Sequence, residues 1–244
     1  MANGNRVALV TGGSKRVGAA IVRKLAQDGF DIAFTFNASR AEADRTAGDV
    51  RQLGRRVETL AVDLTNSAEA AHAVAGWINS AFGRLDVLVN NASIYVKGGL
   101  FDAETEDLRR MWAIHVQTPM LLCRELSPML RANRGHVVNM VDLMVERPAP
   151  GYLAYCTTKA GLWNLTLGLA RELAPEVTVN GIAPGVVEWP PEASVQEREQ
   201  YLKRVPLRRS GTPDDVAGTV SFLCRDGSYL TGQIIHLDGG RSIT

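Results

Sequence analysis

A chain of 244 residues is long enough to bury a sizeable core as one α/β domain or two small ones, and 45% of its residues are hydrophobic. The 27 lysines and arginines almost balance 26 aspartates and glutamates for a net charge of +1, which leaves no electrostatic footprint for nucleic acid or an anionic membrane surface. Cys123, Cys156 and Cys224 have no metal-ligand spacing, the N-terminus MANGNRVALV has no signal-peptide pattern, and no apolar run spans a bilayer, so a soluble cytoplasmic protein with reduced thiols and no metal site is expected.

Arg6 to Thr11 (RVALVT) is a short apolar run of strand type, followed at once by GGSKRVG and then by the helical pattern AAIVRKLAQDG, which stops at Gly29. In such a strand–turn–helix setting a glycine motif binds a dinucleotide. Gly12 and Gly18 let the backbone approach a pyrophosphate, and the free N–H groups and dipole at the helix start favour its charge. A purely structural turn is the competing reading. The next strand, Asp31 to Phe36 (DIAFTF), selects the dinucleotide, because an NAD site expects an acid at the strand's far end and an NADP site prefers basic groups. The strand ends at Phe36-Asn37 without an acid, Asp31 lies at the opposite end, and Arg16 and Arg40 supply positive charge. NADPH is therefore expected; two ordinary solvated arginines are the alternative.

A helix over 40–53 and a strand over 57–62 lead to Asp63-Leu64, where Asp63 either accepts from an adenine amino group or caps the helix expected over 68–82. The strand Asp86 to Val89 ends in Asn90-Asn91-Ala92-Ser93, suited to close backbone contact with a ribose or nicotinamide, with a bland turn as competitor. Glu104 to Leu130 carries one long helical pattern, in which His115 reads by default as a hydrogen-bonded packing residue. The strand His136 to Val141 delivers Asp142 to its carboxyl end. Ligands of open parallel sheets lie outside the carboxyl ends of the strands, so Asp142, Asn90 and the glycine loop are expected to face one crevice.

Thirteen residues beyond Asp142 stands Tyr155, and Lys159 follows one helical turn later on a helix expected over 154–173. An ammonium beside a tyrosine favours the phenolate and lowers its pKa from about 10, which makes Tyr155 a proton donor tuned by Lys159. Without a cofactor site beside it, the pair would be a chance spacing on a solvated helix. A strand over 177–182 and an Ala183-Pro184-Gly185 turn follow. The weakly periodic stretch 186–212, with Trp189-Pro190-Pro191 and the polar helix EREQYLKR, is expected as a substrate loop or lid. A helix over 213–224, a strand over 233–237 and Asp238-Gly239-Gly240 complete one doubly wound parallel α/β (Rossmann) domain over residues 1–244.

Thr11-Gly12 with Gly18, Asn90-Asn91-Ala92, Tyr155-x-x-x-Lys159, Pro184-Gly185 and Asp238-Gly239-Gly240 fall in the order and approximate spacing of the short-chain dehydrogenase/reductase family. The chain resembles that family over essentially its whole length. The resemblance implies a homotetrameric reductase moving hydride from a nicotinamide, with Tyr155 as proton donor and Lys159 holding the nicotinamide ribose. It implies cofactor contacts from Gly12, Arg16, Val17 and Gly18, from Asn37 and Arg40, from Asp63 and Leu64, from Asn90 and Ala92, and from Tyr155, Lys159, Pro184 and Gly185.

Two departures narrow the reading. The position thirteen before the tyrosine is usually a serine that hydrogen-bonds a substrate carbonyl; here it is Asp142. An ionised carboxylate cannot donate to a carbonyl and repels a developing oxyanion, whereas it suits the N–H groups of a nitrogen heterocycle. Gly12-x-x-Lys15-Arg16-x-Gly18, Asn91-Ala92-Ser93, Val141-Asp142 and Leu173-Ala174-Pro175 are similar to the pteridine reductase branch. By that resemblance Arg16 and Ser93 touch the cofactor or pterin, Asp142 and Tyr155 face the reacting ring, and Tyr95 stacks on it, with packing as Tyr95's alternative role. Second, His115 replaces an asparagine that in most of the family holds a proton-relay water near the lysine; Ile114-His115-Val116 and Thr118-Pro119 resemble the dihydromonapterin reductases. The expected activity is NADPH-dependent reduction of a dihydropterin or dihydrofolate to the tetrahydro form. The alternatives are a short-chain reductase acting on a carbonyl or 3-oxoacyl thioester, and a non-catalytic NADPH-binding regulator, against which the intact Asp142, Tyr155 and Lys159 speak.

Overall fold

Short runs of aliphatic and aromatic side chains buried on both faces are what a central parallel strand requires. Five such segments, with a less buried strand at each edge, build the seven-stranded sheet of this computed structural model, which describes residues 5–189 and 193–244. The strands are β1 Val7–Val10, β2 Asp31–Phe36, β3 Val57–Ala61, β4 Val87–Asn90, β5 His136–Met140, β6 Thr178–Pro184 and β7 Ile234–Leu237. The spatial order is β3-β2-β1-β4-β5-β6-β7, parallel throughout. Helices α1 (Arg16–Gln27), α2 (Arg40–Gln52) and α8 (Pro213–Arg225) cover one face through Ile21, Leu25, Ala47, Val50, Val216 and Val220. Helices α3 (Ser67–Ala81), α5 (Thr118–Ala132) and α6 (Leu153–Glu172) cover the other through Val74, Ile78, Leu122, Leu126, Leu130 and Leu169.

The chain steps from β1 outward to β2 and β3, then crosses back to β4 on β1's other side, so Val10 is paired with both Phe34 and Val89. The loops leaving β1 and β4 therefore diverge, and a crevice opens between them at the carboxyl end of the sheet. This topology, rather than any one residue, fixes where a ligand sits.

Three local features depart from the sequence expectation. The long helix over 104–130 is broken into α4 (Thr105–Trp112), a π-helical turn (Ala113–Gln117) and α5. Pro119 has no N–H to return to the carbonyl of residue 115, and the widened turn directs His115 inward, where it is buried. Ala183-Pro184 is not a turn but the end of β6, paired with His236-Leu237 of β7. Beyond Ile182 the strand has outrun β5, so proline's missing donor leaves no β5 acceptor unpaired, and Gly185 N–H resumes the ladder to Leu237 O at 3.0 Å. Within 186–212 the polar stretch forms α7 (Val195–Leu202), opened by a Ser194–Glu197 capping box; Trp189 packs edge-on to Tyr201, while Pro190 and Pro191 lie outside the described residues. Among the described residues no helix is long and apolar enough to cross a membrane.

Candidate active site

The glycine loop is built by close contacts that only glycine permits. Gly12 has φ +65°, and a Cβ on Gly18 would stand 2.1 Å from Gly12 O, so the start of α1 presses directly on the loop. No side chain caps α1 and no acid occupies its first turn, which leaves its leading N–H groups, from Arg16, Val17 and Gly18, available to an anion. Asn91 fastens this loop to the end of β4. Its Nδ2 donates to Thr11 O and Gly12 O at 2.9 and 3.1 Å, while its N–H and that of Ala92 donate to Thr11 Oγ1.

At the end of β2, Asn37 and Arg40 are exposed, and the Arg40 guanidinium lies over the Phe36 ring. Ser39 Oγ lies 2.8 Å from Ser14 Oγ, which joins the β2–α2 turn to the glycine loop; neither serine was singled out in the sequence, because only the fold brings them together. Asp31 stands at the first residue of β2, bound by Arg55 at the opposite end of the sheet. Arg16 makes a 2.6 Å ion pair with Glu188, linking the glycine loop to the 186–212 segment.

The expected cofactor residues do not all face the crevice. Asn90 turns its side chain into the interior, donating to Asn139 Oδ1 at 2.8 Å, because the alternation of a strand sends it beneath the sheet end; only its backbone borders the loop. Leu64 likewise buries its side chain, and its carbonyl accepts from Thr118 Oγ1. Asp63 accepts from the N–H and hydroxyl of Thr65, and these bonds hold its carboxyl below the usual range; α3 itself begins at Ser67 behind Asn66, so Asp63 forms a turn ahead of the helix rather than its cap. Pro184 and Gly185 leave β6 at the same end of the sheet, with Gly185 close against Tyr201 Oη and Asp238. Ser93 Oγ is engaged by His115 Nε2 at 2.8 Å.

Asp142, Tyr155 and Lys159 converge as the sequence spacing implied. Asp142 follows β5 and heads a short 3-10 turn, with Oδ1 accepting from Met144 N–H at 2.8 Å and Oδ2 accepting from Tyr155 Oη at 2.8 Å. Tyr155 is 5% exposed and Lys159 3% exposed, on the inward face of α6. Lys159 Nζ donates to Met140 O at 2.7 Å, which leaves two ammonium hydrogens for a ligand. Burial lowers the Lys159 pKa to about 8 against the opposing pull of Asp142.

The pKa of Tyr155 runs opposite to the sequence expectation. Burial first, then the charge and hydrogen bond of Asp142, push it well above its ordinary value. The reason is geometric. The carboxylate sits on the phenolic oxygen, whereas Lys159 Nζ is 5.8 Å from the ring centroid and spends one donor on a carbonyl. Tyr155 is thus a firmly protonated acid whose hydrogen is already directed at Asp142.

Tyr95 is 52% exposed and stacks on Tyr152 at 4.7 Å while meeting Tyr155 edge-on at 4.8 Å. It stands beside the proton donor, and in this arrangement one of its faces is covered by Tyr152. Tyr152 was missed by sequence reasoning, because it precedes α6 and meets Tyr95, 57 residues earlier, only through the fold. Cys156 is buried, so packing is its role.

The set fits a nicotinamide dinucleotide: a glycine cradle at an uncapped helix start for the pyrophosphate, and a buried, partly unpartnered lysine ammonium beside a phenol at the far end. Comparison with known proteins agrees. The family model described as enoyl-(acyl carrier protein) reductase matches residues 13–242. An uncharacterized oxidoreductase of Mycobacterium tuberculosis is 36% identical over 243 residues, covering 97% of this chain and 92% of that protein. A 3-oxoacyl-(acyl-carrier-protein) reductase of Staphylococcus epidermidis is 32% identical over 241 residues, covering 97% and 98%. Among solved structures, a short-chain dehydrogenase/reductase of Serratia marcescens superposes with a TM-score of 0.91 at 35% identity, covering 97% and 98% of the two chains. An acetoin dehydrogenase of Salmonella typhimurium does so with 0.90 at 31% identity, covering 99% and 97%. Two of these names, the 3-oxoacyl-(acyl-carrier-protein) reductase and the acetoin dehydrogenase, state what those proteins act on. The chain belongs to the short-chain dehydrogenase/reductase family and is an oxidoreductase of the NAD(P)H-using kind.

Proposed function

We propose that this protein is an NADPH-dependent reductase of a C=N bond in a flat, nitrogen-rich ring, with a dihydropterin or dihydrofolate as substrate. The observation that carries this reading is the Asp142 carboxylate, held 2.8 Å from the Tyr155 hydroxyl. A carboxylate only accepts hydrogen bonds. If Tyr155 turns its proton toward a substrate, Asp142 Oδ2 loses its donor, and a substrate that brings ring N–H or amino hydrogens replaces it. A simple ketone brings none and sets its oxygen, where negative charge develops, against the carboxylate.

When bound, NADPH supplies the hydride, which adds at ring carbon C6. Tyr155 delivers the proton to N5, so that the C=N bond becomes CH–NH. Lys159 holds the ribose and keeps a positive charge near the phenol as its proton leaves. Asp142 orients the ring and takes up its N–H groups, Ser93 and Arg16 border it, and Tyr95 offers an aromatic wall. The preference for NADPH over NADH is supported by Arg16, Arg40, Ser14 and Ser39 around a β2 end that has no acid. Residues 186–212 act as the substrate loop, the assembly is a homotetramer, and the compartment is the cytoplasm.

A second reading, reduction of a carbonyl or 3-oxoacyl thioester, is favoured by the names of the relatives. NADPH oxidation measured with 7,8-dihydrobiopterin, dihydromonapterin, dihydrofolate and acetoacetyl thioester separates the two, since turnover of the thioester alone would end the pterin reading. Asp142→Ser sharpens the test. Pterin turnover should fall at least tenfold and thioester turnover should rise; unaltered pterin kinetics would remove the role given to the carboxyl.

A further inference from the structure

His115 is 1% exposed, lies in the π-helical turn between α4 and α5, and has both ring nitrogens engaged. The direction of each bond follows from its partners. Thr158 Oγ1 donates to the Tyr155 carbonyl at 2.8 Å, and a carbonyl can only accept. The single hydroxyl hydrogen of Thr158 is thereby committed, so the 2.9 Å contact from His115 Nδ1 to the same oxygen has to be a donation by the ring. On the other side, Ile94 N–H points at Nε2 at 3.4 Å, and an amide can only donate, so Nε2 is an acceptor and the Ser93 hydroxyl donates to it at 2.8 Å. The ring is neutral, with its proton on Nδ1. The ionisable groups facing it, Lys159 and the edge-on Tyr155, agree: burial and then the Lys159 charge hold its pKa well below the ordinary value.

A continuous path follows. Gly12 O and Thr11 O are held by Asn91, Ser93 and Ile94 follow in the same loop, and His115 joins them to Thr158 and the backbone of Tyr155. We propose that His115 is a positioning residue, a permanently neutral strut that fixes the proton donor relative to the cofactor loop, and that it neither carries nor relays a proton. Both nitrogens are committed to this strut, so neither remains to hold a relay water beside Lys159. The proposal rests on Tyr155 as the proton donor, not on the identity of the substrate.

The test splits the ring into its two halves. In His115→Asn the side-chain amide nitrogen stands near the Nδ1 position and keeps Thr158 but loses Ser93; in His115→Gln the longer amide keeps Ser93 but loses Thr158. Each should lower kcat about threefold to thirtyfold, with the KM for NADPH within about twofold, because each keeps one half of the strut; His115→Ala should lose more than either. A relay instead predicts that His115→Asn and His115→Gln lose as much as His115→Ala, because an amide cannot pass a proton on, and that outcome would overturn the proposal. A second measurement does not depend on turnover. In the 15N spectrum of imidazole-labelled protein, the His115 resonances, identified by their absence in His115→Asn, should show a neutral Nδ1–H ring from about pH 5.5 to 8.5. A ring that titrates near 6.5 would overturn the strut even if Tyr155→Phe confirmed the proton donor. Loss of activity in that variant alone bears on the reductase reading and leaves the strut's spectral test standing.

Discussion

The amino and carboxyl ends of the sheet use the same kinds of charged side chain and treat them differently. At the amino ends, Asp31 is met by Arg55 at 3.1 Å, and Asp86 is gripped by Arg84 through bonds of 2.8 and 2.7 Å while accepting from Val7 N–H at 2.8 Å. At the carboxyl ends, Asp142 is met by a phenol and a backbone amide, and Lys159 by a carbonyl. A carboxylate matched by a guanidinium holds the chain together and has no capacity left over. A charge matched only by neutral groups keeps part of its field for something that arrives later; Lys159 is the buried case, lowered to about 8 with a single carbonyl as its hydrogen-bond partner.

If that contrast is right, substitutions at the two ends should affect different observables. The largest effect is expected for Tyr155→Phe: kcat should drop about a hundredfold to ten-thousandfold, because only the proton donor is lost, while NADPH binding measured by fluorescence titration stays near wild type. A variant that keeps most of its turnover would move the acid elsewhere.

At the opposite end, Asp86→Ala should leave kcat per folded molecule unchanged and lower stability by about 2 kcal/mol. That is modest for a buried pair because the Arg84 side chain is 31% exposed. A calorimetric Tm lower by about 4–8 °C would register it. If instead activity fell in step with neither stability nor folded fraction, the division of labour between the two ends would fail.

How much of this was legible in the sequence follows from how local each feature is. The strands, the glycine loop and the Asp142–Tyr155–Lys159 triad are set by periodicity and spacing along the chain, and the structure places them as that spacing implied. Features that depend on partners far apart in sequence were not readable. The Ser14–Ser39 contact, the Arg16–Glu188 pair across 172 positions and the engagement of both His115 nitrogens exist only once the sheet has brought loops together. The direction of the Tyr155 shift was misjudged for the same reason. The i, i+4 lysine and the Asp142 spacing were visible along the chain, but burial, the largest cause of the shift, comes from the elements packed around the phenol.

The pH dependence probes the carboxyl end alone. With Tyr155 held well above its ordinary pKa and Lys159 lowered to about 8, the group that titrates first on the basic side is the lysine. Its ammonium is present below about pH 8 and lost above, so kcat/KM should fall about tenfold per unit beyond that point, and a limb appearing only near pH 10 or higher would assign it to the phenol instead. Stability carries the same signature with the opposite slope. Between about pH 8 and the ordinary value of 10.5 the unfolded chain binds more protons at this site, so the site's contribution is full above that window and is lost as the pH falls through about 8.

The smallest effect tests whether Arg16 belongs to the matched charges or the reserved ones. Its pairing with Glu188 resembles the amino-end clamps, but both side chains are largely exposed, at 57% and 39%, and such a pair contributes under about 1 kcal/mol. Glu188→Gln should therefore leave stability almost unchanged. If Arg16 is reserved for a cofactor phosphate, removing its competitor lowers the KM for NADPH about twofold to fivefold at low salt, and the gain disappears as ionic strength rises and screens the arginine. If the KM is indifferent to both the substitution and the salt, Arg16 is a structural clamp between the glycine loop and the 186–212 segment, and the phosphate preference passes to Arg40 with Ser14 and Ser39.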